Sequence, residues 1–146
     1  MKINELFSIS GKIAIVTGGS RGIGEMITSG FLANGVKVYI TARKEGPLIE
    51  KAEELSKKYD GDCIPIACDL SSTVGTNYFV EKINKYEKGL DFLVNNAGAA
   101  WGEPYTSFSE SGWDKVMDLN VKSLFFLTQK LTNLLKTNAT KEDPSR

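Results

Sequence analysis

Short apolar runs alternate along the chain with longer stretches in which apolar residues recur every three or four positions. "KIAIVTG" (12–18) is apolar nearly throughout, the pattern of a strand covered on both faces. From Gly22 to Asn34, Ile23, Met26, Ile27, Phe31 and Leu32 fall at helical spacing, and Asn34-Gly35 supplies a C-terminal stop. "VKVYITA" (36–42) predicts a second strand, followed by a charged helix with Pro47 in its first turn and Asp60-Gly61 beyond its end. "CIPIACD" (63–69) predicts a third strand. Its Pro65 has no N–H to give to a central ladder, which puts this strand at a sheet edge. Ser71 or Ser72 then caps a helix running to about Lys88, "LDFLVNN" (90–96) predicts a fourth strand, and a long helix runs from about Gly112 to Lys136. What remains is a polar tail, "TNATKEDPSR".

Four strands, each followed by a helix, imply right-handed crossovers and a parallel sheet, hence an α/β, doubly wound class. In the order 3-2-1-4 the third strand is the edge that Pro65 requires. No repeat or linker divides the chain, so residues 1–146 are expected to form one domain.

Composition narrows the partners. Of 146 residues, 41% are hydrophobic, enough for a core, and 18 basic residues cancel 18 acidic ones. That balance argues against nucleic acid or an anionic membrane as the main partner. No apolar run approaches the ~20 residues of a membrane span, and "MKINELFSIS" lacks the continuous apolar segment of a signal peptide, so a cytoplasmic protein is expected. The chain has no histidine, and its two cysteines, Cys63 and Cys68, share one predicted strand. No metal site is expected, and both cysteines read as reduced core residues.

Chemistry concentrates in "TGGSRGIG" (17–24), where a strand enters a glycine-rich turn and then a helix. Such a turn offers free backbone N–H groups and a positive helix end to a phosphate, and Gly18, Gly22 and Gly24 leave room for the approach. The spacing Gly-x-x-x-Gly-x-Gly is neither the Gly-x-Gly-x-x-Gly fingerprint nor a P-loop. Taken alone the glycines also fit plain turn punctuation.

Three further motifs join it in order: Asp69 at the end of the third strand, "NNAG" (95–98) at the end of the fourth, and "NVKSLF" (120–125) in the long helix. Together they resemble the classical short-chain dehydrogenases/reductases over essentially the whole chain. "NNAGAAWGEP" and "SGWDKVMDLNV" look most like the subgroup of 3-oxoacyl (β-ketoacyl) reductases of rhamnolipid pathways. The resemblance implies a Rossmann-type fold in which Gly18, Ser20, Arg21, Gly22, Ile23 and Gly24 meet the pyrophosphate of a dinucleotide. It further implies that Asp69 and Leu70 meet the adenine, that Asn96, Ala97 and Gly98 line the adenosine ribose, and that Asn120 is the catalytic asparagine. The helix around that asparagine would open locally, so that a carbonyl can hold a relay water. It also implies a small carbonyl or alcohol substrate and a homo-oligomer formed through the 112–136 helix.

Each position has a plainer alternative. Asp69 fits a turn cap, Asn95 a bridge between strands, Asn120 an ordinary polar helix residue, and Trp101 and Trp113 either packing or the substrate mouth. Cofactor preference follows from charge. NAD-preferring sites carry an acid about 20 residues past the glycine turn, at the tip of the second strand, to bond the ribose 2′-hydroxyl. Here the tip reads Thr41-Ala42-Arg43, and Arg21 rises from the turn itself. Two guanidinium groups suit a 2′-phosphate, so NADP(H) is the expected cofactor.

"YFVEK" (78–82) has the Tyr-x-x-x-Lys spacing that the family uses for proton donation. It precedes "NNAG", however, whereas the family's pair follows the asparagine, beyond a fifth strand that carries a catalytic serine. Tyr78 and Lys82 are therefore set aside as coincidence, with Tyr78 expected to pack beside a stripe of Phe79, Ile83 and Tyr86. The expected activity is an NADPH-dependent carbonyl reductase of which these residues supply the cofactor-binding, N-terminal portion, inactive without the serine, tyrosine and lysine. A dinucleotide-binding module without turnover, acting through a partner, and a flavodoxin-like binding protein are the alternatives.

Overall fold

The computed structural model describes residues 7–146. Residues 1–6, the start of the segment tested above for signal-peptide character, lie outside the described residues. The strands are β1 (Ile13–Thr17), β2 (Lys37–Ala42), β3 (Cys63–Ala67) and β4 (Phe92–Val94). They form one parallel sheet in the order β3-β2-β1-β4. Pro65 sits opposite Ile40 on the edge strand, where its missing N–H interrupts no second ladder.

The helices divide the apolar residues between the two faces. Helices α1 (Gly22–Ala33) and α2 (Glu45–Tyr59) cover the face presented by Ala14, Val16, Val38 and Ile40. Helix α3 (Thr73–Tyr86) and the long C-terminal helix cover the opposite face, presented by Ile15, Tyr39 and Ile66. Alternate residues of β1 and β2 thus enter different cores, which is why these strands read as continuously apolar. At the start of α3, Ser72 rather than Ser71 is the cap, accepting a hydrogen bond from the Gly75 N–H at 3.0 Å.

The long helix is three segments in series: α4 (Glu110–Met117), a π-helical stretch Asp118–Ser123, and α5 (Leu124–Asn138). The local opening expected around Asn120 is therefore present, at the six residues centred on it. Leu127, Leu131 and Leu134 are buried against the sheet, whereas Val121, Leu124, Phe125 and Phe126 are exposed. No helix among the described residues is long and apolar enough to cross a membrane.

Three expectations need correction. The segment read as a polar tail is docked. Lys12 pairs with Asp143, the Ser145 hydroxyl donates to Leu90 O at 3.0 Å, and Arg146 lies along β4, its N–H donating to Asp91 O and its carbonyl accepting from Leu93 N–H, both at 2.8 Å. That alternation of bonds is a parallel ladder step. Tyr86 is exposed, not part of the buried stripe of Phe79 and Ile83, because it falls on the solvent side of the last turn of α3. Finally, β4 is only three residues long. Beyond Val94 the chain curls, the Asn96 N–H returning to Val94 O at 3.0 Å and to the Thr17 hydroxyl at 2.9 Å.

Candidate functional site: a cleft at the carboxyl ends of the strands

The ends of β1, β2, β3 and β4 and the start of α1 enclose a cleft of ≈ 640 Å³, at the switch point where the chain reverses its direction of sheet growth. Its base is the glycine turn. Gly22 has φ +56°, a conformation open to glycine, and a Cβ at Gly24 would stand 2.2 Å from the Gly18 carbonyl oxygen. The buried Thr28 hydroxyl donates to Gly24 O at 2.8 Å and Gly19 O at 3.3 Å, fixing the turn from behind. Helix α1 begins after Arg21, an extended residue with no side-chain cap. Its first N–H groups are left free to meet an anion at the positive end of the helix dipole.

A second turn is tied to the first by two side chains, those of Thr17 and Asn96. The Thr17 hydroxyl, at the buried end of β1, accepts from the N–H groups of Asn96 and Ala97, each at 2.9 Å. The Asn96 amide donates back to Thr17 O at 2.9 Å and Gly18 O at 3.3 Å. The strand-bridging role offered above to Asn95 therefore belongs to Asn96. Asn95 instead donates to the Thr128 hydroxyl of α5 at 3.1 Å.

Most of the anticipated residues meet here: Gly18, Ser20, Arg21, Ile23, Gly24, Arg43, Asp69, Leu70, Asn96, Ala97 and Gly98 all line the cleft. Gly22 shapes the turn without lining it, and Asn120 stands behind the lining. The Asn120 side chain donates to Ala99 O and accepts from Ala99 N–H, both at 2.8 Å, bracing the strand-end loop against the π-helical stretch. Asp69 also does what the plainer reading asked of it, its carboxylate accepting from the Ser71 N–H at 3.0 Å and hydroxyl at 2.7 Å.

The sequence reading missed Lys44, Cys68, Lys115 and Asp118, all of which line the cleft. For Lys115 and Asp118 the available signal was helical spacing, since they share a helix face three positions apart with Leu119 beside them. Cys68 is not simply a core residue: half-buried in the cleft wall, its Sγ lies 3.0 Å from the Thr41 hydroxyl, and burial pushes its thiol up. Tyr78 is 44% exposed, with the Lys82 ammonium 5.4 Å from its ring centroid. Neither of the two lines the cleft.

The short chain dehydrogenase family model matches residues 12–142. The chain belongs to the short-chain dehydrogenase family. Among its relatives is the rhamnolipids biosynthesis 3-oxoacyl-[acyl-carrier-protein] reductase of Pseudomonas aeruginosa, 46% identical over 140 residues, covering 96% of this chain and 54% of the relative. Another is the 2-dehydro-3-deoxy-D-gluconate 5-dehydrogenase of Dickeya dadantii, 36% identical and covering 84% and 47%. Among solved structures, the Pseudomonas aeruginosa RhlG/NADP active-site complex superposes with a TM-score of 0.90 at 47% identity, covering 97% of this chain and 54% of that one. L-Sorbose reductase from Gluconobacter frateurii, complexed with NADPH and L-sorbose, gives 0.87 at 31% identity, covering 90% and 50%. The chain thus spans about half the length of the relatives it matches.

Proposed function

We propose that this chain supplies the cofactor-binding part of an NADP(H)-dependent oxidoreductase that reduces a carbonyl, with a 3-oxoacyl thioester as the substrate class. The observation that carries the cofactor reading is the uncapped N-terminus of α1, opening on a cleft with Arg21 on the turn and Arg43, not an acid, at the end of β2. The donor set fits the group. Free helix N–H groups suit the pyrophosphate, two guanidinium groups suit a 2′-phosphate, and Asp69 with Leu70 and the Asn96–Gly98 turn border the adenosine. The bound nicotinamide would supply the hydride. Around it the chain's own residues bind and orient: Thr17 and Asn96 hold the two turns at one spacing, and Asn120 anchors Ala99 so that the loop beyond β4 keeps its place.

The substrate class is supported by the name of the relative with 46% identity. The role of Asn120 falls to its main chain, because both ends of its amide are bonded to Ala99. Neither Tyr78 nor Lys82 serves as proton donor in this reading, and the chain alone is expected to be inactive. The exposed Val121, Leu124, Phe125 and Phe126 support assembly through the long helix.

Calorimetric titration of the chain with NADPH and NADH tests the cofactor assignment. Arg43→Ala should weaken NADPH binding by roughly 1.5–3 kcal/mol, the range for hydrogen bonds to charged groups, and leave NADH nearly unchanged. Equal losses would remove the 2′-phosphate reading, and no binding of either nucleotide would remove the dinucleotide reading.

A further inference from the structure

One cluster at the lip of the cleft takes no part in the reading above. The loop 99–109 is closed on itself: the Glu103 carboxylate accepts from the Ser109 N–H at 2.6 Å, and the Ser109 hydroxyl accepts from the Gly112 N–H at 3.1 Å. That backbone bond, with the Trp101 indole adding to it, holds the Glu103 carboxyl below its usual range. Trp101 leans on the start of α4, where a Cβ at Gly112 would stand 2.4 Å from its Cδ1. One turn further along, the Lys115 ammonium lies 3.9 Å from the Trp101 ring centroid, well inside the range of a cation–π contact. Lys115 also lines the cleft. A single ammonium therefore belongs both to the wall of the cleft and to the stack that holds the loop.

We propose that Lys115 is a positioning residue that couples occupancy of the cleft to the placement of Trp101. The inference rests on the dinucleotide reading of the cleft. A dinucleotide brings at least two negative charges between walls of reduced dielectric, where attraction for a nearby ammonium is stronger than in bulk water. An ammonium drawn towards that charge moves off the ring face it now covers. Binding therefore draws Lys115 inward, releases the face of Trp101 and loosens the loop that the indole anchors. Empty, the cleft keeps the loop clasped; filled, it frees the loop.

The chain has two tryptophans, so Trp113→Phe leaves Trp101 as the only indole. In that background, Trp101 emission excited at its red edge is followed by acrylamide quenching while NADP+ is added, and calorimetry on the same samples records binding. Trp101 is 44% exposed without nucleotide, its ring face covered by Lys115, so quenching should start at an intermediate level and rise to a plateau in step with the binding heat. Lys115→Met should start at the high plateau, bind nucleotide more weakly and show no change in quenching even at saturating nucleotide, and Lys115→Arg should restore the response. Gly112→Ala, which displaces the ring and leaves Lys115 in place, should likewise start high and stay unresponsive. Binding heat with unchanged Trp101 quenching would overturn this coupling and leave the cofactor reading intact. A response that persists in Lys115→Met would overturn it too. Absence of any heat in the parent chain would overturn the cofactor reading and the coupling together.

Discussion

At the amino-terminal end of the sheet, Glu87 and Asp91 are buried and paired; at the carboxyl-terminal end, Arg21, Arg43 and Lys44 are exposed and, among the described residues, in no ion pair. Glu87, 8% exposed, accepts from the Tyr39 hydroxyl at 2.5 Å and pairs with Lys37 at 2.7 Å. Asp91, equally buried, accepts from the Ile13 N–H at 2.8 Å and the Asn138 amide at 3.2 Å, with Lys12 at 3.5 Å. Across the sheet, Arg21, Arg43 and Lys44 stand exposed around the cleft, and no carboxylate pairs with them. Charges satisfied within the fold hold it together, whereas charges left unsatisfied at a concave surface are available to a ligand. The difference separates a structural end from a binding end without reference to any relative.

The sharpest way to break that division is at Gly24. A methyl group there would meet the Gly18 carbonyl at 2.2 Å, so Gly24→Ala must push the turn apart. Nucleotide binding should fall by about 10- to 100-fold in calorimetry, the equivalent of losing one hydrogen bond to a charged phosphate at roughly 1.5–3 kcal/mol. Denaturant stability should drop by about 1–3 kcal/mol. Asp91→Ala should do the reverse. It strips the acceptor from the Ile13 N–H and the Asn138 amide, costing about 1–3 kcal/mol in urea unfolding, with nucleotide affinity of the folded protein unchanged. A loss of affinity exceeding the loss of folded fraction would show that the two ends are not independent.

A smaller effect should appear on the alkaline side. Burial pushes the Cys63 thiol up to about 12 from its ordinary value of 9.0, and burial with Glu87 beside it raises Tyr39 above its ordinary value of 10.0. Both groups hold their protons more tightly folded than unfolded, so their contribution is fully present below pH 9 and is lost as pH rises from there towards 12. Each group can remove at most about 1.4 kcal/mol per pH unit in that window. Unfolding midpoints recorded from pH 8 to 11 should therefore fall, and Cys63→Ala should flatten the first part of the decline.

Much of this was legible in the chain because the signals were local. The strand order rested on Pro65 and the apolar runs, and the cleft on glycines, Arg21 and Arg43 within a few residues of a predicted strand end. Position along the chain also separated Tyr78 from the strand-end motifs, and that residue does not line the cleft. What escaped depended on contacts distant in sequence. "TNATKEDPSR" is polar, and nothing in its composition announces that Arg146 will share backbone bonds with Asp91 and Leu93, 55 and 53 positions earlier. Asn95 and Asn96 are the same residue type side by side, and only the curl after Val94 decides which of them reaches Thr17. Lys115 looked like one more charge on an amphipathic helix, since neither the indole beneath it nor the cleft beside it is visible from its neighbours.

The Thr17 hydroxyl has a consequence for how such a site can change. One oxygen joins the tips of two adjacent strands, so the floor of the crevice has a fixed width, while its rim carries the long exposed side chains of Arg21, Arg43 and Lys44. Variation at Arg43 or Lys44 can alter what is accepted and leave the scaffold nearly untouched, whereas variation at Thr17 or Asn96 disturbs the scaffold first. A site divided in this way is open to drift in ligand preference and closed to drift in shape, and a designer seeking a new specificity should work on the rim and leave the floor alone.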